Sequence, residues 1–511
     1  MSPHSPATTV TVSAGTLRGV RRGGVHVFRG IPYAAPLTGA ARFEAPAPPA
    51  RWEGVRDASV LGPTAPAPPP GSRVRGIDLS ALSGPGRRHG DEYLTVSVWT
   101  PDPGARGLPV MLFLHGGGFT TGTGDAPMYD GTAFARDGVV LVTCNYRLGA
   151  PGWLLLPDAP ANRGMLDVIA ALSWIQENIA SLGGDPDNVT LYGQSAGATI
   201  TASLLAAPAA KGLFRRAVVQ SGTGEGSFTA EQAQRITRAL AAELGVPAEA
   251  AAFAGITDER LVEGVTRVAG LDLTTADGQP DPLLGLTPFA PVLDPATLER
   301  QPSDAVAAGA GAGVDLLIGN TTEEAALYLA PSGALGATTE DDLLALASRV
   351  SPSGPDRLLA AYREERPGTT PADLRTAIMG DHLFGNGSRS LARAHATASG
   401  PSGARTFRYE FGWRSGAFGD TLGACHTLDL PFVFDRLDLP SLHGPHNLLG
   451  PGPVPRELAR EMHTAWVRFA STGDSGIPTD RQCPEDLAGT ASVPASALGG
   501  PLRMTRLYES P

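Results

Sequence analysis

Three apolar runs, Val110–Leu114, Val139–Asn145 and Asn188–Tyr192, each stop abruptly against glycine or polar residues. They are too short for helices and read as buried strands. Between the last two, Met165, Val168, Ile169, Leu172, Ile175, Ile179 and Leu182 recur at three- and four-residue steps, which predicts a helix with one apolar face, ended by "GGDPDN". After "VTLY" come a tight turn, an Ala-rich stretch that reads as a helix, and the strand-like run "RAVVQSG". "VDLLIGN" (314–320) and "RTFRYEF" (405–411) read as further strands, and Leu458, Met462, Ala465, Trp466 and Phe469 mark one face of a helix near the C-terminus. Strands alternating with helices predict an α/β fold with a mostly parallel sheet covered on both sides. Residues 9–29 alternate like a short hairpin with glycines at the turn, and the Pro/Gly/Arg-rich residues 62–90 read as a long surface loop. Residues 225–290 and 330–400 are more helical and are expected to be excursions from a single domain spanning 1–511.

Composition narrows the picture. The chain has 511 residues, 42% of them hydrophobic, enough for a sizeable core. Forty basic residues against 51 acidic ones give a net charge of −11, with no basic run, which argues against nucleic-acid or anionic-membrane partners. Three cysteines, Cys144, Cys425 and Cys483, have no paired spacing, so neither a disulfide framework nor a zinc site is expected. The opening stretch "MSPHSPATTVTVSAGTLRG" lacks the basic-then-apolar pattern of a leader, and no run of apolar residues is long enough to span a bilayer. The expected compartment is the cytoplasm.

The chemistry is written in the turns. "GQSAG" (193–197) fits G-x-S-x-G between a strand and a helix, the setting that lifts a strained serine above a sheet edge, so Ser195 is the candidate nucleophile. A serine nucleophile makes an oxyanion, which needs preorganised N–H donors. "HGGGF" follows an earlier strand, where glycines let backbone amides face a substrate. The candidate donors are the amides of Gly117, Gly118 and Ala196. Of the ten histidines, His426 in "GACHTLDLPFVF" leads His382, His395, His443, His446 and His463 only modestly as the base. Glu323 and Glu324 both stand just past a buried strand as candidates for the orienting acid, and spacing alone does not choose between them.

Together these segments resemble the type B carboxylesterases, the family of bacterial para-nitrobenzyl esterases, carboxylesterases and cholinesterases. The likeness runs through "FRGIPYAAP", "SVWTP", "LHGGGF", "NYRLGAPGW", "GMLDVIAALSWIQENIASLGGDPDNVTLYGQSAGA", "VVQSG", "FAPVLD", "IGNTTEEA", "GACHTLDLPFVF" and "AWVRFASTGD". The resemblance implies an α/β-hydrolase fold whose helical excursions wall a gorge, and serine-dependent ester hydrolysis without cofactor or metal. It puts the family's serine on Ser195, its histidine on His426, its acid on Glu324 and its oxyanion glycines on Gly117 and Gly118. It also implies that Ser221 supports the triad by hydrogen bonding. The implied partner is a small-molecule ester and the implied state a monomer or homodimer. Acyl transfer or cyclisation on the same triad is the alternative, and a non-catalytic scaffold a weaker one.

Departures from the family pattern carry information. Tyr93 stands where secreted members have a cysteine, Ala325 where glycine is favoured, and Asp429 where glutamate is common. Gln194, immediately before the nucleophile, replaces a glutamate that many members carry, removing a negative charge beside the bound ester. With aromatics at only 6%, this points to neutral, small to medium aryl or alkyl esters in place of cationic ones.

Overall fold

The apolar runs lie side by side in the middle of one large sheet. The computed structural model describes residues 7–70, 74, 76–477, 480–482 and 501–507, and Cys483 lies outside them. The strands, in chain order, begin with β1 (Ala7–Val12), β2 (Gly15–Arg22), β3 (Val25–Pro32), β4 (Val55–Asp57), β5 (Thr95–Thr100), β6 (Leu108–Leu114) and β7 (Val140–Cys144). They continue with β8 (Gly184–Gln194), β9 (Arg216–Gln220), β10 (Asp315–Thr321), β11 (Thr406–Phe411), β12 (Asp480–Gln482) and β13 (Leu502–Leu507). Their order is β1-β2-β3-β5-β7-β6-β8-β9-β10-β11-β13-β12, with β4 beside β2. From β7 to β11 every neighbouring pair is parallel, and antiparallel strands flank this block. This is the α/β-hydrolase fold.

Successive residues of a strand face opposite sides. Val110, Leu112 and Leu114 of β6 therefore join one core with Val189, Leu191 and Val219. Met111 and Phe113 join the other with Tyr192, Val218 and Leu317. The helix Arg163–Asn178 buries Met165, Val168, Leu172 and Ile175 in the first core; a 3-10 turn, Ile179–Leu182, completes the face read from the sequence. The helix Arg456–Thr472 buries Leu458, Met462, Trp466 and Phe469 in the second.

Two local expectations are corrected. Residues 9–29 form three antiparallel strands, not a hairpin, because the chain turns twice, at Ser13–Ala14 and at Gly23–Gly24. Within 62–90 a helical turn, Ser80–Ser83, sets Leu79 and Leu82 against the site described below, so the loop is partly a wall. The 225–290 region carries helices Ala230–Leu244, Ala250–Ala254 and Asp258–Arg267. The 330–400 helices close a satellite core of Leu343, Leu346, Leu359, Leu374 and Ile378 that also takes in Ala325 and Phe384. Among the described residues, no helix is long and apolar enough to cross a membrane.

Candidate active site

The carboxyl ends of β6, β8, β9 and β10 converge on one rim, where open parallel sheets build their sites. At the end of β8 the chain reverses into the helix Ala196–Ala206 within one residue, Ser195, held at φ 57, ψ −123. Such a conformation is strained for a serine and persists only where its surroundings impose it. The surroundings are visible. A Cβ on Gly193 would strike the Gly197 carbonyl, and one on Gly197 would strike the Leu114 carbonyl at the end of β6. Small residues at both positions let strand, turn and helix close on each other. The Ser195 amide donates to Gln220 O at 3.0 Å, and Ser195 is left part-exposed toward a cavity.

The glycine loop after β6 lies across from it. His115 Nδ1 donates to Gly116 O at 2.7 Å, and burial pushes this imidazole down to about 4, so it stays neutral. Gly117 O accepts from the amides of Thr120 and Thr121 at 3.2 and 3.1 Å, and from Thr121 Oγ1 at 3.1 Å. A trans peptide points its N–H opposite to its C=O. Tying down the carbonyls of Gly116 and Gly117 therefore directs the amides of Gly117 and Gly118 the other way. Gly117 sits at φ 116, and a Cβ there would meet the Thr121 carbonyl. Thr287 Oγ1 donates to Gly118 O at 2.6 Å and fixes the third peptide of the loop.

Past β10 the two glutamates separate. Glu324 is buried; its Oε2 accepts from His426 Nδ1 at 2.5 Å and its Oε1 from the Thr321 amide at 2.8 Å. Glu323 turns away, pairing with Arg414 and accepting from the Ala424 amide at 2.8 Å. His426 is 2% exposed, on a loop between β11 and the short helix Leu430–Val433. The other histidines are engaged elsewhere: His382 with Asp281 O, His395 with Thr406, His443 with Leu437 O, and His463 with Val433 O. His446 stands edge-on to Phe418.

Three features of the imidazole were not legible in the sequence. Its Nε2 lies 3.3 Å from Gln194 Nε2. With Nδ1–H given to a carboxylate, Nε2 carries the lone pair, and the Gln194 amide donates to it. Among the described residues no hydrogen bond joins Ser195 Oγ to His426. Phe384 stacks on the ring, centroids 4.4 Å apart and planes 15° from parallel, and Tyr328 stands at 5.9 Å. In a helical segment, apolar spacing reads Phe384 as plain core. Beneath lies a second buried carboxylate, Asp429, whose Oδ2 accepts from Tyr409 OH and Gln220 Nε2, both at 2.8 Å. Burial pushes its pKa up.

The supporting bond expected of Ser221 is absent. Ser221 follows β9 at φ 51 and donates its amide to Gly319 O at 2.8 Å, but its buried hydroxyl has no partner among the described residues.

Ser195, Gly117, Gly118, Ala196, Gln194 and His426 all line one cavity, open at its mouth. Its walls are mostly apolar, with Leu79, Leu82, Leu283, Leu286, Leu327, Leu383 and Phe384 among the lining residues. Among the described lining residues there is no Asp, Glu, Lys or Arg. Among the described residues no three His, Cys, Asp or Glu side chains gather as a metal site.

Comparison with known proteins agrees with the fold. The profile of the carboxylesterase family matches residues 6–484. The para-nitrobenzyl esterase of Bacillus subtilis (strain 168) is 36% identical over 91% of this chain and 90% of its own length. The phenmedipham hydrolase of Pseudarthrobacter oxydans is 35% identical over 96% and 94%. The crystal structure of a Geobacillus stearothermophilus carboxylesterase superimposes with a TM-score of 0.78 at 35% identity, over 92% of this chain and 91% of that one. With likeness of this extent in sequence and in fold, the chain belongs to the carboxylesterase family and is a carboxylic ester hydrolase.

Proposed function

We propose that this hydrolase works through an acyl-enzyme on Ser195, with His426 as base and Glu324 as the orienting acid, and that its substrates are neutral esters of small to medium size. The observation that carries the mechanism is the shared cavity: a strained serine, an imidazole tied to a buried carboxylate, and a clamped glycine loop all line the same space.

Glu324 holds the proton on Nδ1 and leaves Nε2 basic. The Ser195 hydroxyl replaces the Gln194 amide at Nε2, gives up its proton there, and attacks the ester carbonyl. The amides of Gly117, Gly118 and Ala196 receive the developing oxyanion, which preorganised donors stabilise without reorganising. The imidazolium, stabilised by Glu324, protonates the departing alkoxide. Water then enters, gives its proton to Nε2, and attacks the acyl-enzyme; collapse returns the proton to Ser195 and releases the acid. Every group used belongs to this chain.

The substrate class rests on the lining. A wall whose described residues are uncharged and mostly apolar favours uncharged ester groups, and among them there is no carboxylate to attract a cationic alcohol. The name of the Bacillus relative, para-nitrobenzyl esterase, fits that class. A fluorophosphonate should label the protein once, at Ser195, and Ser195→Ala should lose both labelling and ester turnover. An adduct mapped to another serine overturns the mechanism.

A further inference from the structure

Between the helices Pro371–Gly380 and Asn386–Ser399 lies a single π-helical turn, Asp381–Gly385. The backbone stays right-handed on both sides, with Gly380 at φ −65, ψ −42 and Asn386 at φ −63, ψ −50. The turn is thus a widening inside one continuous helix. Such widenings are rare overall and frequent at functional sites. Contacts on both sides hold this one. Asp381, fully buried, accepts from Tyr362 OH at 3.0 Å and from Arg389 Nη2 at 2.9 Å. The His382 ring donates to Asp281 O at 3.0 Å, and the Asp281 carboxylate accepts from the amides of Leu283 and Gly285, each at 2.8 Å.

The turn touches both members of the Glu324–His426 pair. At its start, a Cβ added to Gly380 would stand 3.3 Å from Glu324 Cβ, so the helix lies close against the acid. Three residues after Asp381, Phe384 lies face to face with the imidazole at 4.4 Å. The hydrogen bonds at Nδ1 and Nε2 hold two atoms of the ring but not its tilt about the line between them, and Ser195 must displace the one at Nε2 to be served. The flat contact supplies what the bonds lack.

We propose that Phe384 is a positioning residue: the π turn aims its ring at the face of His426 so that Nε2 is held in the plane from which it serves Ser195. The proposal rests on the triad reading above. The charged groups near the ring are Glu324 at Nδ1 and Asp429 behind it, and Gln194 at Nε2 is neutral. The Phe384 face also favours the imidazolium that forms during proton transfer, through its ring quadrupole.

The test compares Phe384→Leu, Phe384→Met and Phe384→Tyr with the wild type. It measures kcat and KM on p-nitrophenyl acetate, the rate of fluorophosphonate labelling, and Tm. Stacked aromatic pairs contribute enough for Phe384→Leu to lower kcat about tenfold. KM and Tm should stay close to wild type, and labelling should slow in proportion. Phe384→Tyr, which keeps the ring, should restore most of kcat. If Phe384→Leu lowers Tm, Phe384→Met, closer in length and flexible enough to fill the space, takes its place in the comparison. Wild-type kcat in the ringless variants overturns the proposal, as does a loss confined to KM or an equal loss in Phe384→Tyr. If the wild type is not labelled at Ser195, the triad reading itself falls; if it is labelled and Phe384→Leu labels at full rate, only the positioning role falls.

Discussion

His426 meets Glu324 twice: its backbone amide donates to the Glu324 carbonyl at 3.2 Å, and its Nδ1 to the carboxylate at 2.5 Å. The main-chain bond brings the two loops together and the side-chain bond orients the ring. Glu324→Gln keeps the shape but removes the charge that selects the Nδ1–H tautomer. The turnover number should fall by about three to four orders of magnitude, the size of effect seen when a triad acid becomes an amide. Glu323→Gln loses only a surface-side pairing with half-exposed Arg414 and an amide contact, and should change turnover by less than about threefold. Steady-state kinetics of the two variants, with circular dichroism to confirm folding, decides; the reverse ranking moves the acid to Glu323.

Cys425 neighbours His426 in sequence, yet it is fully buried, and burial pushes its thiol well up, away from the reactive thiolate. It packs as a small apolar residue. Cys425→Ala should keep most of the activity, with a loss of about 1 kcal/mol or less in stability, as for removal of a small buried group. A large fall in turnover at unchanged Tm would give the thiol a role in the chemistry.

What was legible in the sequence is what local sterics enforce. The turn around Ser195 is readable because a side chain at Gly193 or Gly197 would not fit between β8, its helix and the end of β6. Gly117 is readable because a Cβ there meets the returning backbone at Thr121, and Gly118 because it sits at φ 56, where a side chain is strained. Strand positions were legible because β6 through β11 carry apolar residues on both faces. Contacts across the fold were not. Glu323 and Glu324 are adjacent and alike, and only the placement of Arg414 and His426, about a hundred residues away, tells them apart. Phe384 reads as a core residue of a helix, since a π turn leaves no mark on apolar spacing. Ser221 has the motif position, yet its buried hydroxyl has no hydrogen-bond partner among the described residues.

Asp429 gives a stability prediction. Burial raises its folded-state pKa above the usual carboxylate range, although Tyr409 and Gln220 donate to it. A carboxyl whose folded pKa is raised favours the folded state fully below the unfolded value. That contribution is lost as pH rises from the ordinary carboxylate range through the raised folded value. Asp429→Asn mimics the neutral acid and should remove this loss. The Tm difference between variant and wild type should therefore shift in favour of the variant as pH is raised from 4 to 8. A difference independent of pH would show that Asp429 does not titrate across that window.

Gln194 is the residue whose reading the structure changes most. It faces the imidazole directly, donating to Nε2 at 3.3 Å, as well as lining the cavity beside Ser195. A carboxylate in its place would accept from a protonated Nε2 and favour the imidazolium in the resting enzyme. At an effective dielectric near 20, opposite charges about 4 Å apart attract by roughly 4 kcal/mol before desolvation offsets it. Since the base must be unprotonated to act, the acid limb of the kcat/KM profile should move to higher pH in Gln194→Glu, and turnover of neutral esters at pH 7 should fall. The same charge would attract a cationic alcohol group into a cavity whose described lining carries none. The ratio of efficiencies for a quaternary-ammonium ester over a neutral ester of equal size should therefore rise in the variant, and the rise should shrink with added salt. Matched esters, both enzymes, a pH series and two ionic strengths supply the measurement. A wild type that already prefers the cation would mean that charge reaches the gorge from a source other than position 194.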